Sequence, residues 1–208
     1  MIAIVDYGVG NLFSLKSSFA HIGIEAQVTG DKDIIEKADK IILPGVGAFG
    51  DAIGKLKSTG LDKVVIDEAK KGKPIMGICL GMQLLFEKSF EYGEYDGLGL
   101  IEGEIRPISD VIDKELKIPH IGWNPLILKG EKSPIFKYLS DGDCVYFVHS
   151  YYGAGCEKST IATAEYSTEL TAAVAKGNVF GCQFHPEKSG NVGLGILKAF
   201  CEIGGIEE

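Results

Sequence analysis

The chain has 208 residues, of which 45% are hydrophobic and 24% are charged, values typical of a globular protein with a substantial core. The formal net charge is −8 and no basic run occurs, so we do not expect a nucleic-acid-binding surface. No stretch approaches the roughly 20 apolar residues of a membrane-spanning helix. The N-terminal apolar run has no basic leader, so we expect neither a signal peptide nor a membrane partner.

The cysteines indicate a reducing compartment. They are an odd number with no C-x-x-C pair, namely Cys79, Cys144, Cys156, Cys182 and Cys201. This pattern is typical neither of a disulfide framework nor of a zinc site. We therefore expect a cytoplasmic protein that holds no metal.

Strands and helices alternate in the first half of the chain. Strands are predicted over residues 2–6, 25–29, 40–44 and 74–79. Helices are predicted over residues 11–22, 32–38, 49–60, 62–72 and 80–88. Apolar strands that alternate with helices indicate a parallel sheet covered on both faces.

The second half is richer in strands. They are predicted over residues 98–108, 118–128, 143–152, 160–166 and 171–184, and a helix is predicted over residues 192–203. No repeat, low-complexity tract or linker interrupts the chain. We therefore predict an α/β fold in a single domain over residues 1–208, with a mainly parallel central sheet flanked by helices and a more antiparallel strand region added in the second half.

A cysteine stands between two glycines in "GICLGMQ", residues 77–83. The predicted strand ends at Cys79 and the next helix begins at Leu80, so the turn between them is very short. Glycines on both sides allow neighbouring backbone to come close and the turn to take strained angles. A cysteine alone is more often a buried core residue than a nucleophile, so Cys79 needs a partner base to count as catalytic.

The motif H-P-E supplies such a base directly after an apolar strand, in "VFGCQFHPEKS". Pro186 favours an extended conformation at His185, and residues two apart on an extended segment project to the same side. Glu187 can therefore hold one tautomer of His185, which leaves the other ring nitrogen to take the Cys79 proton.

Each of these residues has an ordinary explanation when it is taken alone. A single histidine is more often structural, and H-P-E also suits a plain turn. Cys79 and His185 both follow apolar strands, however, and the carboxyl ends of such strands are where open α/β sheets bind ligands. The combination predicts nucleophilic catalysis.

The loop "PGVGAFG" has two interpretations. Gly45, Gly47 and Gly50 match the dinucleotide-binding pattern between a strand and a helix, which would make the protein a nucleotide-dependent oxidoreductase. The acidic residue that such a site needs would be Asp67, but Asp67 falls within a predicted helix, and Pro44 interrupts the junction. We favour a loop that donates backbone N–H groups to an oxyanion, together with the Leu80 N–H.

The three motifs "PGVGAFG", "GICLGMQ" and "FHPEKS" together resemble those of the triad, or class I, glutamine amidotransferases. "DYGVGNL", "PHIGWN" and "YFVHSYY" extend the resemblance over nearly the whole chain, in the right order. H-x-G-W-N and the Lys188-Ser189 pair narrow it to glutaminase subunits that form a heterodimer with a (β/α)₈-barrel cyclase.

The resemblance implies a role for each motif. Cys79 would attack the side-chain amide of glutamine, His185 would protonate the leaving amine and then activate water, and Glu187 would orient His185. The implied glutamine contacts are Gly47, Gln83, His149 and Ser150. The implied oxyanion donors are the backbone N–H groups of Leu80 and of Val46 or Gly45, in a strand that is misaligned until the partner binds its ligand. No cofactor is implied.

The resemblance also implies contacts with the partner, at Asn11, Trp123, Asn124, Tyr146 and Lys188. Trp is enriched at interface hot spots, although a single Trp is more often core and a lysine next to H-P-E is often simply solvated. We interpret His21 and His120 as structural, and we expect a variable loop over residues 106–117.

Two further alternatives stay open at this point. A related glutaminase subunit serves pyridoxal-phosphate synthase, and close paralogues serve sugar-amidine pathways. A non-catalytic regulatory subunit would keep the fold without the chemistry, but the intact Cys79, His185 and Glu187 argue against it.

Overall fold

The computed structural model describes residues 1–204, so the predicted domain end at residue 208 lies outside the described residues. The helices are α1 (Leu12–His21), α2 (Lys32–Lys37), α3 (Phe49–Thr59), α4 (Leu61–Lys70), α5 (Leu80–Leu84) and α6 (Gly190–Glu202). The strands are β1 (Ile2–Val5), β2 (Ala26–Thr29), β3 (Lys40–Gly45), β4 (Ile75–Cys79), β5 (Lys88–Ser89), β6 (Tyr95–Asp96), β7 (Glu104–Pro107), β8 (His120–Pro125), β9 (Ile127–Leu128), β10 (Cys144–His149), β11 (Tyr151–Ala154), β12 (Thr160–Glu165), β13 (Glu169–Lys176) and β14 (Val179–Cys182).

The central sheet has the strand order β2-β1-β3-β4-β14-β13-β12-β9. Its first five strands are parallel, and β13, β12 and β9 continue it in antiparallel pairs. Two smaller sheets, β10-β8 and β11-β7-β5-β6, lie in the second half. The predicted α/β fold, with a parallel centre and a more antiparallel added region, is confirmed.

Helices cover both faces of the central sheet. Every residue of β4 is buried, as expected for a parallel strand with a core on each side. Helix α3 buries Phe49, Ala52, Ile53 and Leu56, the i, i+3, i+4, i+7 spacing of an amphipathic helix. Helices α3, α4 and α5 pack on one face, and α1 and α6 pack on the other.

The helix predicted over residues 80–88 is too long. Helix α5 ends at Leu84, and Lys88 already belongs to β5. The carbonyl oxygens of Leu84, Leu85 and Phe86 accept hydrogen bonds from the backbone of residues 98–101, so they are not available to extend the helix. The continuous apolar run that suggested a longer helix is instead buried by this returning segment.

Four strand predictions in the second half also need correction. Residues 118–128 divide between β8 and β9, and residues 143–152 between β10 and β11, and in each case the two strands belong to different sheets. Of residues 98–108, only Glu104–Pro107 forms a strand, and residues 171–184 fold as the β13–β14 hairpin around a turn at Gly177. The short strands β5 and β6 carried no periodic signal and were not predicted. In the segment 106–117, a 3₁₀ turn at Ile108–Asp110 buries Ile108.

The dinucleotide interpretation of the glycine loop fails in the fold. Gly45 ends β3, Gly50 lies within α3, and Asp67 is exposed on α4. The pattern therefore has no carboxylate at a strand end, where a ribose would need one. Within residues 1–204 no helix is long and apolar enough to cross a membrane.

Candidate active site

Cys79 lies at the carboxyl end of β4 in a strained turn. Its φ of 54° and ψ of −114° lie where side chains other than glycine rarely occur, and such strain is of order 1–3 kcal/mol. Helix α5 begins at the next residue, and β3 pairs Gly45 with Cys79. The sharp turn places Cys79 at the carboxyl end of β4, the sheet edge at which open α/β folds bind ligands.

Two glycines make this turn possible because backbone packs where side chains would be. A Cβ at Gly77 would lie 2.6 Å from the carbonyl oxygen of Gly81. A Cβ at Gly81 would overlap the carbonyl oxygen of Leu43 in β3. The close approach of α5 to β3 and β4 therefore excludes any larger residue at these positions.

His185 and Glu187 form a buried pair on the turn that follows β14. His185 Nδ1 lies 2.8 Å from Glu187 Oε1, and the two side chains are only 3% and 1% exposed. The His185 N–H donates to the Tyr146 carbonyl at 3.0 Å, and the Ser189 hydroxyl donates to the His185 carbonyl at 2.6 Å. These bonds tie the turn to β10.

The electrostatics of His185 match a proton-transfer role. Burial opposes its protonation, but the Cys79 sulfur and the Glu187 carboxylate on either side of the ring outweigh burial and raise the pKa of His185 to about 9. Since Glu187 accepts from Nδ1, Nε2 is the nitrogen that faces Cys79.

A cavity of about 300 Å³ opens over the Cys79 turn and the His185 turn. It is lined by Val46, Gly47, Cys79, Leu80, Gln83, Glu91, Tyr92, Pro119, Val148, His149, Ser150, Tyr151, His185 and Lys188. The structure thus brings all four predicted glutamine contacts to one cavity with Cys79 and His185. Gly45 lies behind the wall, paired with Cys79, whereas Val46 and Leu80 line the cavity.

Behind the cavity runs a chain of polar side chains, in which His120 and His149 are buried and Asn124 is half-buried. The Asn124 amide donates to His120 Nε2 at 3.2 Å, His120 Nδ1 donates to His149 Nε2 at 2.9 Å, and His149 Nδ1 donates to the Tyr151 carbonyl at 2.8 Å. Burial lowers the pKa of His120 and lowers that of His149 to about 4. Both rings are therefore neutral at pH 7, and neither nitrogen of His149 is left for a ligand.

Gln83 is partly committed to the protein. Its Nε2 donates to Gln183 Oε1 at 3.0 Å and to the Tyr151 carbonyl at 3.4 Å. What remains for a ligand in the cavity is the amide oxygen.

Sequence reasoning missed Glu91, Tyr92 and Tyr151. Glu91 is 8% exposed, and its carboxylate accepts a hydrogen bond from the Phe49 N–H at 2.6 Å. Burial raises the pKa of Glu91. Because Glu91 belongs to an irregular segment, no sequence periodicity placed it beside Cys79.

The predicted partner contacts divide into exposed side chains and half-buried ones. Trp123 is 58% exposed and meets Tyr146 edge-on at 6.1 Å between ring centroids. Lys188 is exposed, with Nζ 6.0 Å from the Tyr146 ring. Asn11 is half-buried before α1, and Asn124 turns inward to His120 and the Glu165 carbonyl.

A family model described as glutamine amidotransferase class-I matches residues 3–202. The chain belongs to the class I glutamine amidotransferase family. The resemblance predicted from the motifs is confirmed, and this glutamine amidotransferase is a glutamine-hydrolysing enzyme.

Three curated relatives are similar to this glutamine amidotransferase over nearly their whole length, and each is named imidazole glycerol phosphate synthase subunit HisH. That of Caldanaerobacter subterraneus subsp. tengcongensis is 50% identical, with 98% of each chain covered. That of Wolinella succinogenes is 47% identical, over 98% of this chain and 100% of the relative. That of Lactococcus lactis subsp. lactis is 50% identical, over 97% and 98%.

Solved structures share the fold at low identity. A glutamine amidotransferase crystal structure superposes with a TM-score of 0.74 at 19% identity, over 97% of this chain and 100% of the other. PurLQS from Thermotoga maritima superposes with a TM-score of 0.74 at 22% identity, over 96% of both chains.

Proposed function

We propose that this enzyme is the glutaminase subunit of an imidazole glycerol phosphate synthase, which supplies ammonia for histidine biosynthesis, and that residues 1–208 form one glutamine amidotransferase domain. The observation that carries the proposal is the strained Cys79 turn, which faces the His185–Glu187 pair across one cavity. Near-full-length identity of 47–50% to three subunits of that synthase supports the specific assignment.

Cys79 and His185 would carry the chemistry. Cys79 gives its proton to His185, and its sulfur attacks the carboxamide carbon of glutamine. The C–N bond then breaks as His185 protonates the leaving nitrogen, so ammonia departs and a glutamyl thioester remains. Water attacks the thioester while His185 takes its proton, the C–S bond breaks, and the proton returns to the sulfur. Glu187 holds the Nδ1–H of His185 throughout.

The oxyanion formed at each attack needs two N–H donors. The Leu80 N–H, at the start of α5, is the first, and the N–H of Val46 or Gly45 is the second. Val46 has the stronger support because it lines the cavity, whereas Gly45 does not. Loss of one such donor typically costs about 3–4 kcal/mol of transition-state stabilisation.

The cavity has groups for the polar ends of glutamine. The Glu91 carboxylate is the acidic group in its wall and can pair with the α-ammonium group of the substrate. The amide oxygen of Gln83 can accept from the same group, while Gly47, His149 and Ser150 offer backbone groups to the carboxylate or to the reacting amide.

The proposed partner is a (β/α)₈-barrel cyclase that receives the ammonia through its core. It would use the ammonia to make imidazole glycerol phosphate and an aminoimidazole carboxamide ribonucleotide. An exposed aromatic and apolar surface beside the His185 turn supports a docking partner: Trp123 is 58%, Ile121 57% and Ile118 47% exposed.

The test is glutamate release from glutamine, measured for the purified chain alone and with the barrel cyclase subunit and its ribonucleotide ligand. We expect low activity alone and strong activation by the loaded partner. Full activity without the partner would contradict an oxyanion strand that is misaligned until the partner binds its ligand. Activation only by a different ammonia-using synthase would overturn the histidine assignment.

The control is Cys79→Ala, measured in the same mixtures. It should abolish glutamate release while circular dichroism and partner binding stay as in the wild type. A Cys79→Ala chain that still hydrolyses glutamine would contradict the proposed mechanism.

A further inference from the structure

We propose that Gln183 is a further catalytic residue, whose side-chain amide donates a hydrogen bond to the Cys79 sulfur and stabilises it whenever it is negatively charged. Gln183 Nε2 lies 3.8 Å from Cys79 Sγ, within hydrogen-bonding range for sulfur. The inference deepens the proposed function, because it rests on Cys79 as the nucleophile.

The orientation of the Gln183 amide follows from its neighbours. Gln83 Nε2 lies near both the Tyr151 carbonyl and Gln183 Oε1. A backbone carbonyl only accepts hydrogen bonds, so the Gln83 group that faces it must be the NH₂. That NH₂ then requires an acceptor on Gln183, which places the Gln183 NH₂ toward the sulfur.

Burial makes the bond significant. Gln183 is fully buried, between β14 and the His185 turn, and its backbone N–H donates to the Ala172 carbonyl at 2.8 Å. A buried amide is costly unless its hydrogen bonds are made. An N–H aimed at a sulfur is a weak bond to a thiol but a charge-assisted one to a thiolate.

Few groups around the Cys79 sulfur can donate a hydrogen bond to it. The titratable side chains that face Cys79 are His185, from the turn after β14, and Tyr7, from the segment after β1. Burial and the charge of Cys79 raise the pKa of Tyr7, whose hydroxyl donates to the Pro44 carbonyl at 2.7 Å. The Val148 carbonyl, 4.0 Å from Sγ, is an acceptor. Gln183 therefore donates to the sulfur at the two points where it carries negative charge, before it attacks glutamine and when the C–S bond of the thioester breaks.

The test is the rate at which iodoacetamide alkylates Cys79 in the full chain, followed by mass spectrometry from acid to alkaline pH. Gln183→Glu keeps the shape and the acceptor for Gln83 but replaces the N–H donor with oxygen. Gln183→Met keeps the length and removes both. Gln27→Met, at an exposed position on β2, is the matched control.

We expect the midpoint of the alkylation profile to move up by about one pH unit in Gln183→Met and further in Gln183→Glu. The limiting rate at high pH should stay the same, and Gln27→Met should match the wild type. A wild-type midpoint in a folded Gln183 variant overturns the proposal.

A second measurement needs no variant at Gln183. In the wild-type chain, the NMR signals of the Gln183 side-chain amide should shift with the same midpoint as alkylation, and in Cys79→Ala they should not. If the signals of the Gln183 side-chain amide in the wild-type chain do not shift with pH at this midpoint, the inference is overturned. Because alkylation requires no glutamine turnover, a chain that shows the expected midpoints but no glutaminase activity contradicts only the proposed function.

Discussion

The two halves of the active site are held by different forces. The Cys79 turn is fixed by backbone packed against backbone, since Gly77 and Gly81 leave no room for a side chain. The His185 turn also packs closely on backbone, since a Cβ at Gly193 of α6 would overlap the Pro186 carbonyl oxygen. In addition it is held by polar side chains, namely the Glu187 carboxylate and the Ser189 hydroxyl, and by its bond to β10. Both turns are therefore sensitive to added volume, and the base is sensitive to lost hydrogen bonds as well.

The difference follows from where each half sits in the fold. Cys79 ends a fully buried central strand between two parallel neighbours, where shape complementarity is tight. His185 follows the last parallel strand and meets the separate β10–β8 sheet, where the contacts are directional. The predictions below test this contrast, from the largest expected effect to the smallest.

Gly81→Ala should have the largest effect. Its Cβ would overlap the Leu43 carbonyl, so α5 must shift away from β3. We expect a loss of at least about 3 kcal/mol in the free energy of unfolding and loss of glutaminase activity, measured by urea denaturation and glutamate release. Gly54→Ala, in α3 with nothing within 4 Å of its Cβ, is the control and should be neutral or stabilising. Equal stability of the two variants would contradict the packing argument.

Glu187→Gln should remove the charge that supports His185 but leave the volume. We expect kcat to fall by a factor on the order of 10²–10⁴, with little change at the Cys79 turn. The exposed Glu25→Gln should keep full activity. A small effect on kcat would show that the carboxylate does not orient the base.

The same variant should change how stability depends on pH. The pKa of His185 is raised from 6.5 to about 9 in the folded chain, so its contribution is complete below pH 6.5 and is lost as the pH rises toward 9. A shift of this size corresponds to about 3 kcal/mol. Urea denaturation from pH 6.5 to 9 should show a decline in the wild type and a flatter profile in Glu187→Gln. A steeper decline of stability with pH in the variant would contradict the stabilisation of protonated His185 by Glu187.

Ser189→Ala should have an intermediate effect. The hydroxyl donates to the His185 carbonyl and accepts from the Tyr146 N–H at 3.0 Å. Its loss leaves the Tyr146 N–H without this acceptor, whereas the His185 carbonyl still accepts from the Lys188 N–H at 3.0 Å. We expect a loss of about 1–3 kcal/mol in stability and a tenfold fall in kcat with KM retained. Ser17→Ala, exposed on α1, should change neither. A changed KM with an unchanged kcat would show that Ser189 does not position His185.

Trp123→Ala should have the smallest effect on the isolated chain. The side chain is 58% exposed, so we expect the free energy of unfolding to change by less than about 0.5 kcal/mol. Affinity for the cyclase, measured by calorimetry, should fall by about 2 kcal/mol or more if Trp123 is an interface anchor. Unchanged affinity would remove it from the interface.

The sequence predicted the chemistry better than its supporting network. Alternating strands and helices placed Cys79 at a sheet edge, and the two-residue spacing in H-P-E placed Glu187 on His185, because both depend on local periodicity. The His120–His149 pair depends on β8 and β10 meeting in a register that sets these residues opposite each other. Such pairing across the chain, like the approach of Glu91 to the cavity, leaves no local pattern to read.

The most direct test of the central claim is to intercept the acyl group on Cys79. Hydroxylamine added to the partner-activated enzyme with glutamine should divert the thioester, so γ-glutamyl hydroxamate forms at the expense of glutamate, and Cys79→Ala should form neither product. Glutamate release that continues without hydroxamate, or undiminished release by Cys79→Ala, would contradict a thioester on Cys79.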